Sequence, residues 1–244
     1  MISVCLLTID RYWTTRYVIE TFLSNTELEI ELLVLDNGSS DMRTIEFVEN
    51  LIASKKFNNL IKAGTIREVK NIGVAQGLNK LIKESSGEYI CIVGNDILLN
   101  KNWLNDLLYY NKTIKDSGIT AIHSVKSKGK FSPLLDVTDE FINVWKTEDS
   151  SVYGTLFFNK SLLETVGIFD DRLSKYGLWD SQYCWRLCQL GYNNFYIPEQ
   201  SSFHIEDNFS AEYKLLKEKE LKRAEENIVE IKNEMVKSKN YKYV

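Results

Sequence analysis

Short apolar runs alternate with segments of helical period along the first half of the chain. Ser3–Leu7, Glu31–Leu35 and Tyr89–Val93 are strings of β-favouring apolar residues with little polar alternation, the pattern of strands buried on both faces. Gly64–Val69 reads as a shorter, half-exposed strand. Between and after these runs, three groups recur at spacings of three and four: Trp13, Tyr17, Val18 and Phe22; Ile45, Val48 and Ile52; Leu78, Leu81 and Ile82. Trp103, Leu104, Leu107 and Leu108 mark a fourth helix. Strand–helix units in series predict a parallel sheet joined by right-handed crossovers. After Ser117 the rhythm changes. Strands are predicted over Ile119–Val125 and Val152–Phe158, separated by a polar stretch with Lys126, Lys128 and Lys130 that has the length of a loop or lid. A helix over Trp179–Leu190 follows, closed by Gly191. Ala211–Lys237 is charged, mixed in sign and free of proline and glycine, so it predicts one long helix. Its apolar seam is Leu221, Ala224, Ile228, Ile231 and Met235, which packs on its own domain or, in the sharper alternative, on a second copy.

Three of the strands run into polar clusters: Thr8-Ile9-Asp10-Arg11, Asp36-Asn37-Gly38-Ser39-Ser40-Asp41 and Gly94-Asn95-Asp96. In open α/β sheets ligands lie beyond the carboxyl ends of the strands. Asp96 in such a position either holds a divalent metal against phosphate oxygens or caps the next helix. Asp36 in Asp-Asn-Gly-Ser equally suits a turn closed by its own side chain.

These segments, in this order, resemble the inverting family-2 glycosyltransferases of the GT-A fold, and the resemblance runs from Ser3 to about Ser210. Thr8-Ile9-Asp10-Arg11 is similar to the family's T-x-N-R turn, with Asp10 where Asn is common. Asp36–Asp41 is similar to its D-D/N-G-S-x-D segment, and Asn71–Asn79 to N-x-G-x-A-x-x-x-N. Gly167–Asp171 with Gly177–Asp180 and Arg186 resembles G-x-F-D-E followed by G-x-E-D-x-D-x-x-x-R. Pro198, His204 and Ser210 resemble the late P, H and S positions. Two departures stand out: the Asp-x-Asp metal motif retains only Asp96, after Asn95, and Trp179 replaces the Glu before Asp180.

The resemblance implies an α/β GT-A fold, a Rossmann-like nucleotide-binding sheet, mostly parallel and flanked by helices, with a long C-terminal helix. It implies a glycosyltransferase domain over 1–210, with a nucleotide-sugar-binding half (1–116), an acceptor-binding half (117–210) and a charged helical extension (211–244). Donor-binding residues would be Thr8, Asp10, Arg11, Asp36, Asn71, Asn95 and Asp96, with Asp36 accepting a hydrogen bond from the nucleobase. Asp96 and His204 would ligate Mn²⁺ or Mg²⁺. Asp180 would be the general base, or else an N-terminal helix cap. Trp179 would stack on the acceptor sugar or pack in the core. The implied activity is metal-dependent inverting transfer of a hexose from a nucleotide sugar, UDP-linked most commonly, to a glycan, lipid-linked glycan or protein, in polysaccharide biosynthesis. The alternative is a degenerate relative serving as a binding or assembly subunit.

Composition narrows this further. The 244 residues carry a net charge of −4, which gives no basic footprint for nucleic acid. No run approaches the roughly 20 apolar residues of a membrane span, and no charged leader precedes an apolar stretch, so a cytoplasmic setting is expected. Cys5, Cys91, Cys184 and Cys188 form no CxxC pair and are expected as reduced, mostly buried thiols. His123, inside an apolar strand, is expected in the core. Thr8–Trp13 has no glycine, which argues against nucleotidylyltransferase and dinucleotide-binding dehydrogenase phosphate loops.

Overall fold

The structure, a computed structural model, describes residues 1–124, 131–133, 145–147, 155–205 and 211–244. The lysine-bearing stretch 126–130, Ser210 and the side chain of His123 lie outside the described residues. In chain order the elements are β1 (Ile2–Thr8), α1 (Tyr12–Ser24), β2 (Ile30–Asp36), α2 (Arg43–Ser54), β3 (Leu60–Arg67), α3 (Val74–Glu84), β4 (Tyr89–Val93), β5 (Ile97–Leu99) and α4 (Trp103–Thr113). The second half comprises β6 (Ser117–Ser124), β7 (Phe131–Pro133), β8 (Trp145–Thr147), β9 (Thr155–Asn159), α5 (Leu162–Val166), α6 (Trp179–Gln189), β10 (Asn193–His204) and α7 (Ala211–Ser238).

One sheet runs through both halves in the order β3-β2-β1-β4-β9-β6-β10-β8-β7, with β5 paired to β10. The pairs β3–β2, β2–β1, β1–β4 and β6–β10 are parallel, while β9 is antiparallel to both β4 and β6. The central part of the sheet is therefore mostly parallel, as expected, and β5, β8 and β7 add antiparallel pairs beside β10. Alternate residues of β1 explain why its sequence is apolar throughout: Ile2, Val4 and Leu6 face one core, with Val18 and Phe22 of α1, and Cys5 faces the other, with Leu78 and Leu81 of α3.

Three elements differ from the sequence reading. β3 starts at Leu60, four residues earlier than expected, because its outer positions are polar and hide the strand's beginning. β5 is only three residues long, below what periodicity resolves. β10 continues through Pro198, which argues against a strand in sequence. A register shift between Ile197 and Ser201 accommodates it: β10 pairs with β6 on both sides of the shift and with β5 only beyond it.

Glu31 enters β2 fully buried and binds Ser3, Lys62 and Ser86. Burial alone would push its carboxyl up, but the hydrogen bonds from Lys62, Ser3 and Ser86 outweigh that and hold it at about 2. A depressed carboxyl contributes stability above its unfolded value of 4.5 that is lost as pH falls toward about 2. Glu31→Ala, which strands the Ser86 N–H, is expected to cost ~2–3 kcal/mol in denaturant unfolding at neutral pH. An unchanged midpoint would show that the network adds nothing.

The α7 seam packs on its own chain. Ala224, Ile231 and Met235 are buried, and Ile231 and Met235 cluster with Leu173 and Trp185. Beyond α7 the chain crosses to residues 166–171. Tyr243 N donates to Val166 O, Ile168 N donates to Tyr243 O, and Tyr243 Oη donates to Asp171 at 2.6 Å. Gly167 (φ +76°) is required at this crossing, since a Cβ there would lie 1.7 Å from Tyr243 O.

Candidate active site

The carboxyl ends of β1, β2 and β4 emerge on one rim, and hydrogen bonds join the loops that follow them. Thr8 is buried, shares a hydrogen bond with Thr15 (2.8 Å) and accepts one from Asn95 Nδ2 (3.1 Å). Arg11 sends Nη1 to Asn95 Oδ1 at 3.0 Å and to Asp96 Oδ2 at 3.2 Å. Asp10 lies at φ +50°, a region Asp tolerates, and its Oδ1 accepts from Ser40 N (2.7 Å) and Ser40 Oγ (2.8 Å). Its carboxylate thus stitches the β1 loop to the β2 loop. Asn71 also does scaffold work: its Oδ1 accepts from Gly73 N (2.9 Å) and Asn37 Nδ2 (3.2 Å).

Asp36 is fully buried at the end of β2. Its Oδ1 accepts the Ser39 N–H at 2.9 Å, the turn its sequence predicts. Oδ2 is also buried and has no hydrogen-bond partner among the described residues, with the Arg67 guanidinium 3.7 Å away. Leaving such an oxygen unsatisfied is costly, so it marks a position where a ligand N–H is favoured.

The antiparallel pairing of β10 with β5 sets His204 opposite Ile97, next in sequence to Asp96. Ile205 N donates to Asp96 O at 2.8 Å, and His204 Nδ1 lies 3.8 Å from Asp96 Oδ1. Asp96 and His204 are the carboxylate and imidazole here that would hold a divalent ion. Asp96 Oδ1 thus faces the imidazole while Oδ2 faces Arg11, so the donor set fits a shared substrate–metal site. Among the described residues there is no closed cage of three or more His, Cys, Asp or Glu ligands.

Asp180 stands in the first turn of α6 and is partly buried. The N-cap position is Leu178, and no side chain caps the helix. Asp180 Oδ1 accepts from the neighbouring Ser181 N–H at 2.8 Å, a local contact, so the capping role is minor. Burial raises its carboxyl to about 6, with the Ser181 bonds opposing. A carboxylate near that value is suited to take a proton at neutral pH. Trp179 packs edge to face on Phe169 at 5.0 Å and keeps part of its surface open. Arg186 of the same motif is structural: it is fully buried and donates to the carbonyls of Val166 (2.8 Å) and Ile168 (2.6 Å).

Residues 169–178, which lead to Asp180, are held by Asn79, the last residue of the Asn71–Asn79 motif, and by two residues of α7 that the sequence does not mark. Asn79 brackets Phe169 through both its amide atoms, at 2.8 and 3.0 Å. Asn227 of α7 donates to the carbonyls of Arg172 and Leu173, and Glu220 accepts the Lys175 N–H at 2.9 Å. Lys175 O accepts from Val74 N and Lys175 Nζ donates to Asn71 O, so this segment also bridges to the first half. A cavity of about 400 Å³ between α1 and α2, lined by Tyr12, Arg16, Arg43 and Phe47 among others, contains none of the candidate site residues.

Residues 3–163 match the family described as Glycosyl transferase family 2. A Sinorhizobium fredii protein, "Uncharacterized protein y4gI", is 21% identical over 227 residues, covering 84% of this chain and 24% of that protein, so the chain spans about a quarter of its length. Among solved structures, GalNAc-T7 with UDP, GalNAc and Mn²⁺ superposes with a TM-score of 0.68 at 14% identity, covering 84% of this chain and 44% of that one. The mannosyltransferase PcManGT from Pyrobaculum calidifontis, with GDP-Man and Mn²⁺, gives 0.66 at 15%, covering 89% and 60%. S. aureus TarS 1–349 with UDP-GlcNAc gives 0.57 at 16%, covering 85% and 59%. At these identities the likeness shows a shared fold, which is the GT-A fold.

Proposed function

Since the chain belongs to glycosyl transferase family 2, we propose that it is a metal-dependent inverting hexosyltransferase. It moves a sugar from a nucleotide-sugar donor, UDP-linked in the first instance, to a hydroxyl of a glycan, lipid-linked glycan or protein. The observation that carries this reading is the meeting of Arg11, Asn95, Asp96 and His204, from separate parts of the chain, at one sheet rim. GalNAc-T7 and PcManGT, each with a nucleotide or nucleotide sugar and Mn²⁺, add support.

The residues divide the chemistry among them. Asp36 Oδ2 accepts the nucleobase N–H, and Thr8 and Arg11 line the same pocket. Asp10, Asn71 and Asn95 keep the surrounding loops in register. Asp96 and His204 would hold Mn²⁺ or Mg²⁺, which when bound would neutralise charge developing on the departing diphosphate. Asp180 removes the acceptor hydroxyl proton as that oxygen attacks the anomeric carbon opposite the leaving diphosphate, which inverts the centre. The open part of Trp179 receives the apolar face of the acceptor sugar. Residues 1–116 serve the donor, 117–210 the acceptor, and 211–244 the helical extension. The setting is cytoplasmic polysaccharide biosynthesis. Among the described residues no helix is long and apolar enough to cross a membrane.

Donor hydrolysis across UDP-, GDP- and dTDP-sugars, with Mn²⁺ or with chelator, tests the reading. Metal-dependent release of one nucleoside diphosphate is the expected result. Nucleotide binding without any turnover would favour the binding-subunit alternative.

A further inference from the structure

Resting on the reading of Asp180 as the base, we propose that Asn79 of α3 is a positioning residue for it, acting by holding Phe169, the residue on which the start of α6 is seated. The stretch between α5 and α6 belongs to neither helix, so a backbone N–H and C=O buried there need partners from elsewhere. Phe169 is fully buried, and one side chain supplies both partners. Asn79 Oδ1 accepts the Phe169 N–H at 3.0 Å, and Asn79 Nδ2 donates to Phe169 O at 2.8 Å. An amide suits the task, since it carries an acceptor and a donor side by side. The N-terminus of α3 grips the same stretch a second time, where Val74 N donates to Lys175 O at 2.9 Å.

The Phe169 ring passes this hold on to α6. It lies 5.0 Å from the Trp179 ring, edge to face, and 4.5 Å from the Tyr183 ring. Trp179 immediately precedes Asp180 and Tyr183 follows it in the next turn, so the two rings are neighbours on one helix face. No side chain caps this end of α6, and its first turn is therefore seated by packing. The side-chain hydrogen bonds from α6 to residues 166–168 lie further along the helix. Tyr183 Oη donates to Gly167 O at 3.4 Å, and Arg186 donates to Val166 O and Ile168 O. Releasing Phe169 would let the first turn shift while the later turns stay held. A base must lie within hydrogen-bond reach of the proton it takes, and a misplacement of about 1 Å can cost about 10²-fold.

The test is a double-mutant cycle on turnover of whichever nucleotide sugar the parent uses with Mn²⁺, comparing the full chain, Asn79→Ala, Asp180→Asn and the pair. Asn79→Ala is expected to lower kcat by about 10- to 100-fold, with calorimetric affinity for the matching nucleoside diphosphate unchanged. In the Asp180→Asn background the same change should cost less than about twofold, because residues that act as one unit are not additive. Phe169→Leu keeps the backbone hydrogen bonds and shrinks the ring, so it should give the same pattern, and its cycle decides the matter if Asn79→Ala does not fold. An equal factor in both backgrounds, or no loss from Asn79→Ala, would overturn the assignment while leaving the transferase reading intact. A parent that turns over no nucleotide sugar, or an Asp180→Asn protein with parental turnover, would remove the reading beneath this inference, and the inference with it.

Discussion

Asp180→Asn is expected to fold, to lose transfer by about 10²–10⁴-fold, and to melt higher than the parent at pH 8. The two halves of this result have one cause. Folding raises the Asp180 carboxyl from 3.8 to about 6, chiefly through burial. A carboxyl raised in this way favours the folded state fully below 3.8, and that contribution is lost as pH rises through about 6. At pH 8 the protein therefore carries an ionised group it would rather keep neutral. The displacement corresponds to at most ~3 kcal/mol, which partial solvent access trims to about 1–2 kcal/mol. Asparagine keeps the acceptor for Ser181 N–H and removes the charge, so the stability is recovered and the base is lost. In the parent, kcat/KM should fall as pH drops through about 6. Melting curves at pH 5 and pH 8, together with a kcat/KM profile, check both halves. A variant that turns over normally removes Asp180 from the mechanism, and one that melts lower at pH 8 removes the account of its environment.

Asp96→Asn is expected to abolish metal-dependent turnover, with a loss of about 10³-fold or more, because it takes away the carboxylate that faces both His204 and Arg11. It should also remove the rise in melting temperature expected of the parent with Mn²⁺ plus a nucleoside diphosphate, as linkage requires of a ligand selective for the native state. The amide keeps the shape and still accepts from Arg11, so the fold should persist. His204→Ala should weaken Mn²⁺ binding while leaving nucleoside binding intact, since the imidazole neighbours Asp96 Oδ1, the oxygen opposite the one Arg11 binds. Titrating Mn²⁺ against melting temperature in the three proteins separates these cases. An Asp96→Asn protein that still responds to Mn²⁺ would move the metal elsewhere.

Much of this architecture is legible in local patterns. Tyr89–Val93 and the helices near Val74 and Trp103 follow the sequence periodicities to within a residue or two, because each spans enough residues to show its period. The polar clusters after β1, β2 and β4 are legible for the same reason: an apolar strand that stops abruptly at Thr8, Asp36 or Asn95 marks a rim. Roles within the clusters are less legible. Asp10 and Asn71 have the same motif standing as Arg11 and Asp36, yet each gives its Oδ1 to loop hydrogen bonds, while the buried Asp36 Oδ2 has no hydrogen bond among the described residues. Nothing in residue order separates a carboxylate oxygen that closes a loop from one left buried without a donor.

The sequence alone determined the alternating strand–helix plan, the rim carrying Thr8, Asp36 and Asp96, and the long amphipathic C-terminal helix, since these depend on periods of two and 3.6 within short windows. Only the tertiary structure decided that His204 meets Asp96, because that contact requires β10 to shift register near Pro198 and pair with a three-residue strand. Likewise it decided that the α7 seam serves its own domain, clamping the segment before Asp180 through Glu220 and Asn227. Such contacts join residues tens of positions apart, and their geometry follows from how the sheet and helices pack.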